Sequence, residues 1–163
     1  MKRFLSVALL VALMVLLLAA CGEPKVETPK TLDYTLGDTG VVVTLPTELG
    51  FERMESELNE FFGVGANGEW SIIVNMDEND AYTLEEFIDY TAKANGADGA
   101  KKTANGNFYF TYEDEGYSFY TVALEHNGCY YRVTFYCFSD VWNDYKDNFV
   151  DWATTVRIAT DQG

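Results

Sequence analysis

Histidine, cysteine, proline and basic side chains are all scarce in this chain of 163 residues. It contains one histidine, three cysteines, three prolines, and 11 lysine and arginine residues. General-base and nucleophilic catalysis need an oriented partner for the reacting side chain, and His126, which stands beside the turn Asn127-Gly128, has no identifiable one. The chain also has no glycine-rich phosphate loop, paired-cysteine zinc spacing or dinucleotide fingerprint. The sequence therefore predicts no catalytic residue, no metal site and no cofactor.

The low number of basic residues also restricts the possible partners. Against 11 basic side chains stand 26 acidic ones, so the formal net charge at pH 7 is −15. A surface this acidic repels nucleic-acid phosphates and anionic lipid headgroups alike. We expect no nucleic-acid binding, and we expect the folded domain to stand away from a bilayer surface.

The N-terminus has the three parts of a secretory signal. Lys2 and Arg3 supply a positive charge, residues 4–18 form an apolar run broken only by Ser6, and small residues follow. A membrane-spanning helix needs about 20 apolar residues, and this run is shorter. Residues 1–20 are therefore predicted to be a signal peptide.

The end of this segment, Leu18-Ala19-Ala20-Cys21, resembles a bacterial lipobox. The resemblance implies thioether attachment of a diacylglycerol to the Cys21 sulfur, cleavage before Cys21 and acylation, for example with palmitate, of the new amino group. Two or more acyl chains hold a protein stably at a membrane, whereas one holds it only marginally. The alternative is an ordinary secretory signal with an incidental cysteine. The lipobox predicts a cell-membrane location on the extracytoplasmic face. The residue that follows Cys21 is Gly22, so the aspartate retention signal of Gram-negative lipoproteins is absent.

Residues 21–38 are predicted to be a lipidated, flexible tether, because they contain two prolines and few large apolar residues. Residues 39–160 are predicted to form one domain, a length typical of globular domains. Cleavage before Cys21 would remove Lys2 and Arg3 and leave a formal charge of −17.

Cys129 and Cys137 are the two remaining cysteines. They lie on one predicted strand, eight residues apart, which corresponds to about 26 Å in an extended chain. A disulfide requires α-carbons closer than about 7 Å. We therefore predict two unpaired, buried thiols.

The first half of the domain predicts short strands and a helix. A β-branched run at residues 41–45 ends at Pro46, a short strand follows at residues 51–54, and residues 60–64 and 69–74 flank the hairpin signal Asn67-Gly68. Thr83 and Glu86 have the spacing of a capping box, which predicts a helix that ends at Asn95-Gly96.

The second half predicts an antiparallel meander and a second helix. The strands are residues 100–104, 107–112, 117–125 and 129–138, and the last, apolar on both sides, is expected to be covered on both. Ser139 is predicted to cap a final helix with an apolar stripe formed by Val141, Tyr145, Phe149, Trp152 and Val156, widened by Trp142 and Ala153.

Three features mark this order of elements: Leu-Pro ends the first strand, Gly106-Asn107-Phe108-Tyr109-Phe110 opens the meander, and the final helix is aromatic. The order resembles that of the PsbP-like family. The resemblance implies an α+β fold, in which an antiparallel sheet of about six to seven strands is sandwiched by helices. It also implies a non-enzymatic binding or assembly module.

Several functions remain open at this stage. The preferred hypothesis is a lipoprotein that binds a protein partner or a small solute, with Trp70, Tyr130 or Trp142 as walls of a groove or simply as core residues. An assembly or chaperone factor for a membrane complex is a variant of it. The rival is an envelope hydrolase or metal-dependent enzyme that uses His126 and the acidic segments at residues 77–80 and 113–115.

Overall fold

The computed structural model describes residues 30–78 and 82–159. The predicted signal peptide and Cys21 lie outside the described residues. The described chain contains ten strands and two α-helices, in the order β1 (Thr31–Thr35), β2 (Val41–Pro46), β3 (Phe51–Met54), β4 (Phe61–Gly65), β5 (Trp70–Glu78), α1 (Leu84–Ala94), β6 (Lys101–Lys102), β7 (Phe108–Asp114), β8 (Tyr117–His126), β9 (Cys129–Phe138), α2 (Trp142–Thr155) and β10 (Arg157–Ile158).

The strands form two antiparallel sheets. The larger sheet has seven strands in the order β3-β4-β5-β9-β8-β7-β6, and the smaller has three in the order β1-β2-β10. The predicted α+β class, with one antiparallel sheet of about seven strands and helices packed on it, is confirmed; the second, smaller sheet is additional.

The centre of the large sheet is the hairpin of β8 and β9. Asn127 and Gly128 both have positive φ angles, 51° and 74°, as the predicted tight turn requires. The register runs from His126 opposite Cys129 to Tyr117 opposite Phe138. Since side chains alternate along a strand, this register assigns every residue of the pair to one of two faces.

The inner face of the large sheet, defined as the face that carries Trp70, Val133 and Phe135, packs against α2 and the small sheet. Trp70 and Trp152 have ring centroids 4.8 Å apart, and Phe135 and Phe149 have centroids 5.7 Å apart. Val41, Val43 and Leu45 of β2 complete the same core. The predicted apolar stripe of the last helix is therefore a core element.

The opposite face, the outer face, is covered by α1 at one corner. The capping box is present: Thr83 accepts a hydrogen bond from the Glu86 amide, and the Glu86 carboxylate accepts one from the Thr83 amide. These bonds, first from the Thr83 backbone and then from its hydroxyl, lower the pKa of Glu86. Ile88 and Ala92 then pack on Phe110 and Ala123.

The predicted tether is wrong from Thr31 onward. Strand β1 pairs with β2 in a register that runs from Thr31 opposite Pro46 to Thr35 opposite Val42, and the side chain of Leu36 is fully buried. Four of the five β1 side chains are exposed. Backbone pairing, rather than burial of alternate side chains, holds this strand, so it leaves no hydrophobic pattern in the sequence.

The start of the final helix also differs from the prediction. Ser139 to Val141 form a short 3-10 turn, and α2 begins at Trp142 without a side-chain cap. The Ser139 hydroxyl instead lies 2.9 Å from that of Ser118. At the other end, α2 stops at Thr155 close to where the sequence predicted, and the following residues Arg157 and Ile158 form β10, an unpredicted strand that pairs with β2.

Candidate functional site

His126, the residue on which the enzyme hypothesis depends, lies at the end of β8 and is partly exposed. Its register partner is Cys129, a free, partly exposed cysteine. Acyl transfer by such a pair needs a third group that orients the imidazole. Among residues 30–78 and 82–159, no group of three or more His, Cys, Asp or Glu side chains is placed to hold a metal ion.

The acidic segment at residues 77–80 is only partly the loop that the sequence predicted. Asp77 and Glu78 belong to β5, while residues 79–80 lie outside the described residues. The Arg132 guanidinium donates two hydrogen bonds to the Asp77 carboxylate, from Nε at 2.8 Å and from Nη2 at 3.3 Å. Asp77 is therefore one half of a cross-strand ion pair. Glu113 and Asp114 end β7, and Glu115 lies in the following turn, as predicted for a hairpin tip.

Trp70 and Tyr130 are core residues, as the simpler of the two interpretations held. They are 1% and 2% exposed. The Tyr130 ring stacks on Phe87 of α1, with centroids 4.9 Å apart, and its hydroxyl donates a hydrogen bond to the Tyr82 carbonyl. Trp142 is partly buried beside Phe149. A groove of about 570 Å³ lies beside Tyr82, Phe87, Tyr90 and Tyr130, so Tyr130 does contribute to the wall of a groove, next to α1.

Both cysteines of the domain are unpaired, as predicted, although only Cys137 is buried. Burial, followed by the nearby charges of Asp140 and Asp144, raises the pKa of Cys137 to about 11. A thiol with this pKa is ionised to only about 0.1% at pH 8, and the thiolate is the reactive form. Cys137 is therefore suited to packing and unsuited to nucleophilic catalysis.

We expect iodoacetamide at pH 8 to alkylate Cys129 in the folded protein and to leave Cys137 unmodified. Cys129 is partly exposed, whereas Cys137 is 2% exposed. Peptide mass spectrometry after timed quenching measures each site separately, and labelling in urea should reach both. Equal rates at the two sites in the folded protein would contradict the assignment of Cys137 to the core.

One further candidate surface was not anticipated from the sequence. It lies on the outer face beyond α1, and we name it the open face. Its members are large apolar or aromatic side chains that share this face by register and alternation and are partly or largely exposed, namely Met54, Phe62, Val64, Ile73, Tyr112, Tyr117, Phe119, Tyr136 and Phe138.

The expectation that β9 is covered on both faces is therefore wrong at one end. On the outer face α1 protects the Tyr130 end of the strand, while Tyr136 is partly exposed and Phe138 is 51% exposed. The signal in the sequence is the alternation of aromatic residues in three consecutive strands. It does not identify a shared surface until the register of those strands is known.

The aromatic rings of the open face form an ordered row across three strands. Tyr112 stacks on Phe119 with centroids 4.5 Å apart and an interplanar angle of 6°, and Phe119 stacks on Tyr136 at 5.4 Å and 25°. Beside this row, Tyr117 stacks on Phe138 at 4.7 Å. Burial is the main cause of the raised pKa of Tyr112, so its hydroxyl stays neutral.

Acidic side chains border the open face at both ends. Glu52 lies on the same face of β3, opposite Val64, and Asp114 lies on it opposite Tyr117. A groove of about 580 Å³ continues from Met54 and Phe62 into the following loop, where its lining includes Arg53, Glu55, Glu57 and Glu60. The surface is thus apolar in the middle and predominantly acidic at its edges.

The described residues contain no helix long and apolar enough to cross a membrane. No family model and no curated protein matches the chain. Its fold, in contrast, is found in solved structures.

Two of these structures are similar over most of the chain. The solution structure of cyanobacterial PsbP (CyanoP) from Synechocystis is 15% identical with a TM-score of 0.52, and the match covers 85% of this chain and 96% of that one. The crystal structure of the Ran-binding protein Mog1p from Saccharomyces cerevisiae is 8% identical with a TM-score of 0.51, and the match covers 81% and 97%. These identities establish the fold alone. The chain therefore has the PsbP-like α+β fold that its order of elements predicted.

Proposed function

We propose that the mature chain is a membrane-anchored, extracytoplasmic lipoprotein whose domain binds a protein partner and catalyses no reaction. The observation that carries the binding function is the open face, an ordered apolar surface that no element of the described chain covers. A sheet buries its apolar face against another layer in most domains. An exposed apolar patch with a polar border is typical of interaction sites.

The fold is compatible with this function. Mog1p, one of the similar structures, is a Ran-binding protein, so a chain of this fold can serve as a protein-binding module. The acidic composition supports a protein rather than a nucleic acid as partner. A small solute in the groove beside Tyr82 and Tyr130 is the second candidate ligand.

The rival enzyme hypothesis lacks a supporting constellation in the described residues. Asp77 is paired with Arg132, and burial raises the pKa of Cys137 to about 11, so its thiol is protonated at neutral pH. His126 has Cys129 as its register partner, and acyl transfer by such a pair would need a third group that orients the imidazole. A binding function needs none of these groups. It gives a role to the exposed aromatic row of the open face.

The anchoring half of the proposal rests on the sequence Leu18-Ala19-Ala20-Cys21. We expect the Cys21→Ser variant to leave the membrane fraction and enter the aqueous phase on detergent phase separation, because the hydroxyl cannot form the thioether and the acyl chains supply the membrane affinity. Intact mass spectrometry of the native protein should show a lipidated Cys21 as the first residue. A membrane-bound Cys21→Ser protein would contradict the anchor.

The binding half is tested on the full lipidated chain. After mild detergent extraction of native membranes, we expect the chain to migrate with a second polypeptide on native gels and in size-exclusion chromatography. The Cys21→Ser variant, expressed in the same cells, controls for co-extraction of neighbouring lipoproteins. Migration as a single species of its own mass would contradict a stable protein partner and favour the solute hypothesis.

A further inference from the structure

The two faces of the large sheet are covered very unequally. On the inner face, Phe135, Phe149 and Trp152 belong to one buried cluster with the small sheet. On the outer face, the buried cluster of α1 includes Phe110 and Ala123 of the sheet, and Tyr112 packs at its edge. Beyond it, β3, β4 and β5 carry Met54, Phe62, Val64 and Ile73 with no helix above them.

The open face is also organised before any partner arrives. The Tyr112, Phe119 and Tyr136 rings are fixed by strand pairing and by stacking on one another. Next to them on the same face, the Thr121 and Thr134 hydroxyls satisfy each other at 2.8 Å in a buried hydrogen bond. Rigid aromatic side chains lose little conformational entropy on binding and are enriched at protein interfaces.

The charges at the edges determine what can dock. Glu52 and Asp114 lie on the face itself, and Glu55, Glu57 and Glu60 line the adjoining groove, where Arg53 is the one basic side chain. On the described part of the outer face, the Arg132 guanidinium is already paired with Asp77. A cationic partner therefore meets carboxylates that outnumber the basic side chains at the edges of the open face.

Charge repulsion argues against two other occupants of the open face, a second copy of this chain and an anionic membrane. Two copies with a net charge of −15 each would bring like charges together around the apolar contact, and juxtaposed like charges oppose association. Anionic headgroups meet the same repulsion. The occupant that satisfies both the apolar centre and the acidic border is a basic, amphipathic protein segment.

We propose that the open face docks a segment of a partner protein in which apolar side chains are flanked by lysine or arginine. This inference rests on the proposed protein-binding function and assigns it to one surface. The apolar side chains cover the aromatic row and Ile73, and the basic ones reach the carboxylates at the two ends.

Site-specific photocrosslinking in intact cells tests the position. A benzophenone side chain is introduced into the full chain at Met54 or Phe138 on the open face, and at Val150 on α2 or Tyr90 on α1 as controls. Met54 and Val150 are matched in exposure, at 43% and 44%. We expect a discrete protein adduct from the two open-face positions and none from the controls.

Mass spectrometry of the adduct tests the chemistry. We expect the crosslinked peptide of the partner to contain apolar residues with lysine or arginine next to them. A peptide of net negative charge, a peptide of this chain itself, or a lipid adduct at Met54 or Phe138 would each overturn the inference. Adducts from the control positions alone would overturn it while leaving the proposed function intact, and the absence of any protein adduct would contradict both.

Two substitutions test the energetics, with the probe kept at Phe138. Ile73→Asp should reduce adduct yield by on the order of tenfold, equivalent to about 1.4 kcal/mol, because docking would bury an unpaired carboxylate. Glu52→Lys should also reduce the yield, whereas Asp151→Lys on α2 changes the net charge equally and should not. Thermal unfolding verifies that the variants are folded. Equal losses from Glu52→Lys and Asp151→Lys would show a general charge effect and overturn the docking surface.

Discussion

Replacing Phe149 with alanine is expected to lower the free energy of unfolding by about 3–5 kcal/mol. Phe149 is fully buried. Its ring centroid lies 5.6 Å from that of Trp152, 5.7 Å from that of Phe135, and 5.8 Å from those of Trp142 and Tyr145. Removal of the ring leaves a cavity between α2 and the large sheet. The surrounding rings belong to two different elements, so they cannot close the cavity without moving the helix.

The matched control is the next residue, Val150, which is 44% exposed on the same helix. We expect Val150→Ala to change stability by no more than about 0.5 kcal/mol, as is usual for surface positions. Urea unfolding followed by tryptophan fluorescence measures both variants. Similar losses for the two would mean that α2 is held by something other than its aromatic stripe.

The sequence was informative wherever one local feature determines the structure. The Asn127-Gly128 turn fixes a hairpin by its positive φ angles, and Thr83 with Glu86 fixes the start of α1 by reciprocal hydrogen bonds. The stripe of α2 was visible because helical spacing brings Tyr145, Phe149 and Trp152 to one side. In each case the signal lies within about a dozen residues.

The parts that were wrong depend on contacts between distant segments. Strand β1 exists because its backbone pairs with β2, and β10 exists because Arg157 and Ile158 reach the other edge of β2, more than 100 residues away in the chain. Ser139 does not cap α2, since its hydroxyl is close to that of Ser118 on β8. No local pattern reports such a pairing.

The open face, too, depends on contacts between distant segments and could not be predicted from local sequence patterns. Tyr112, Phe119 and Tyr136 are separately unremarkable core candidates in the sequence, and strand register alone places them in one row. Whether that row is covered depends on the position and length of α1, which packs on Phe110, Ala123 and Tyr130 but leaves Phe119 and Tyr136 partly exposed. A search for catalytic motifs could not find this surface, because it contains no reactive group.

Gly65→Ala is expected to destabilise the domain by about 1–3 kcal/mol, the range for overpacking of a dense core. A β-carbon at Gly65 would lie 2.2 Å from Nε1 and 2.5 Å from Cε2 of Trp70. The indole cannot retreat easily, because Trp70 is 1% exposed and its ring packs on Trp152 with centroids 4.8 Å apart. The glycine is thus required by the close approach of the indole ring to the β4 backbone.

A double-mutant cycle with Trp70→Val isolates this contact. Valine ends before all three indole atoms that the added β-carbon would meet, Nε1, Cε2 and Cδ1, so Gly65→Ala should cost at least about 1 kcal/mol less in the Trp70→Val background than in the native one. Urea unfolding followed by circular dichroism gives all four free energies. Equal costs in both backgrounds would mean that Gly65 acts through its backbone and not through the indole. Because Trp70, Gly65 and Trp152 join β5, β4 and α2 at the inner face, the same contact supports the β4 and β5 strands whose outer side forms part of the open face.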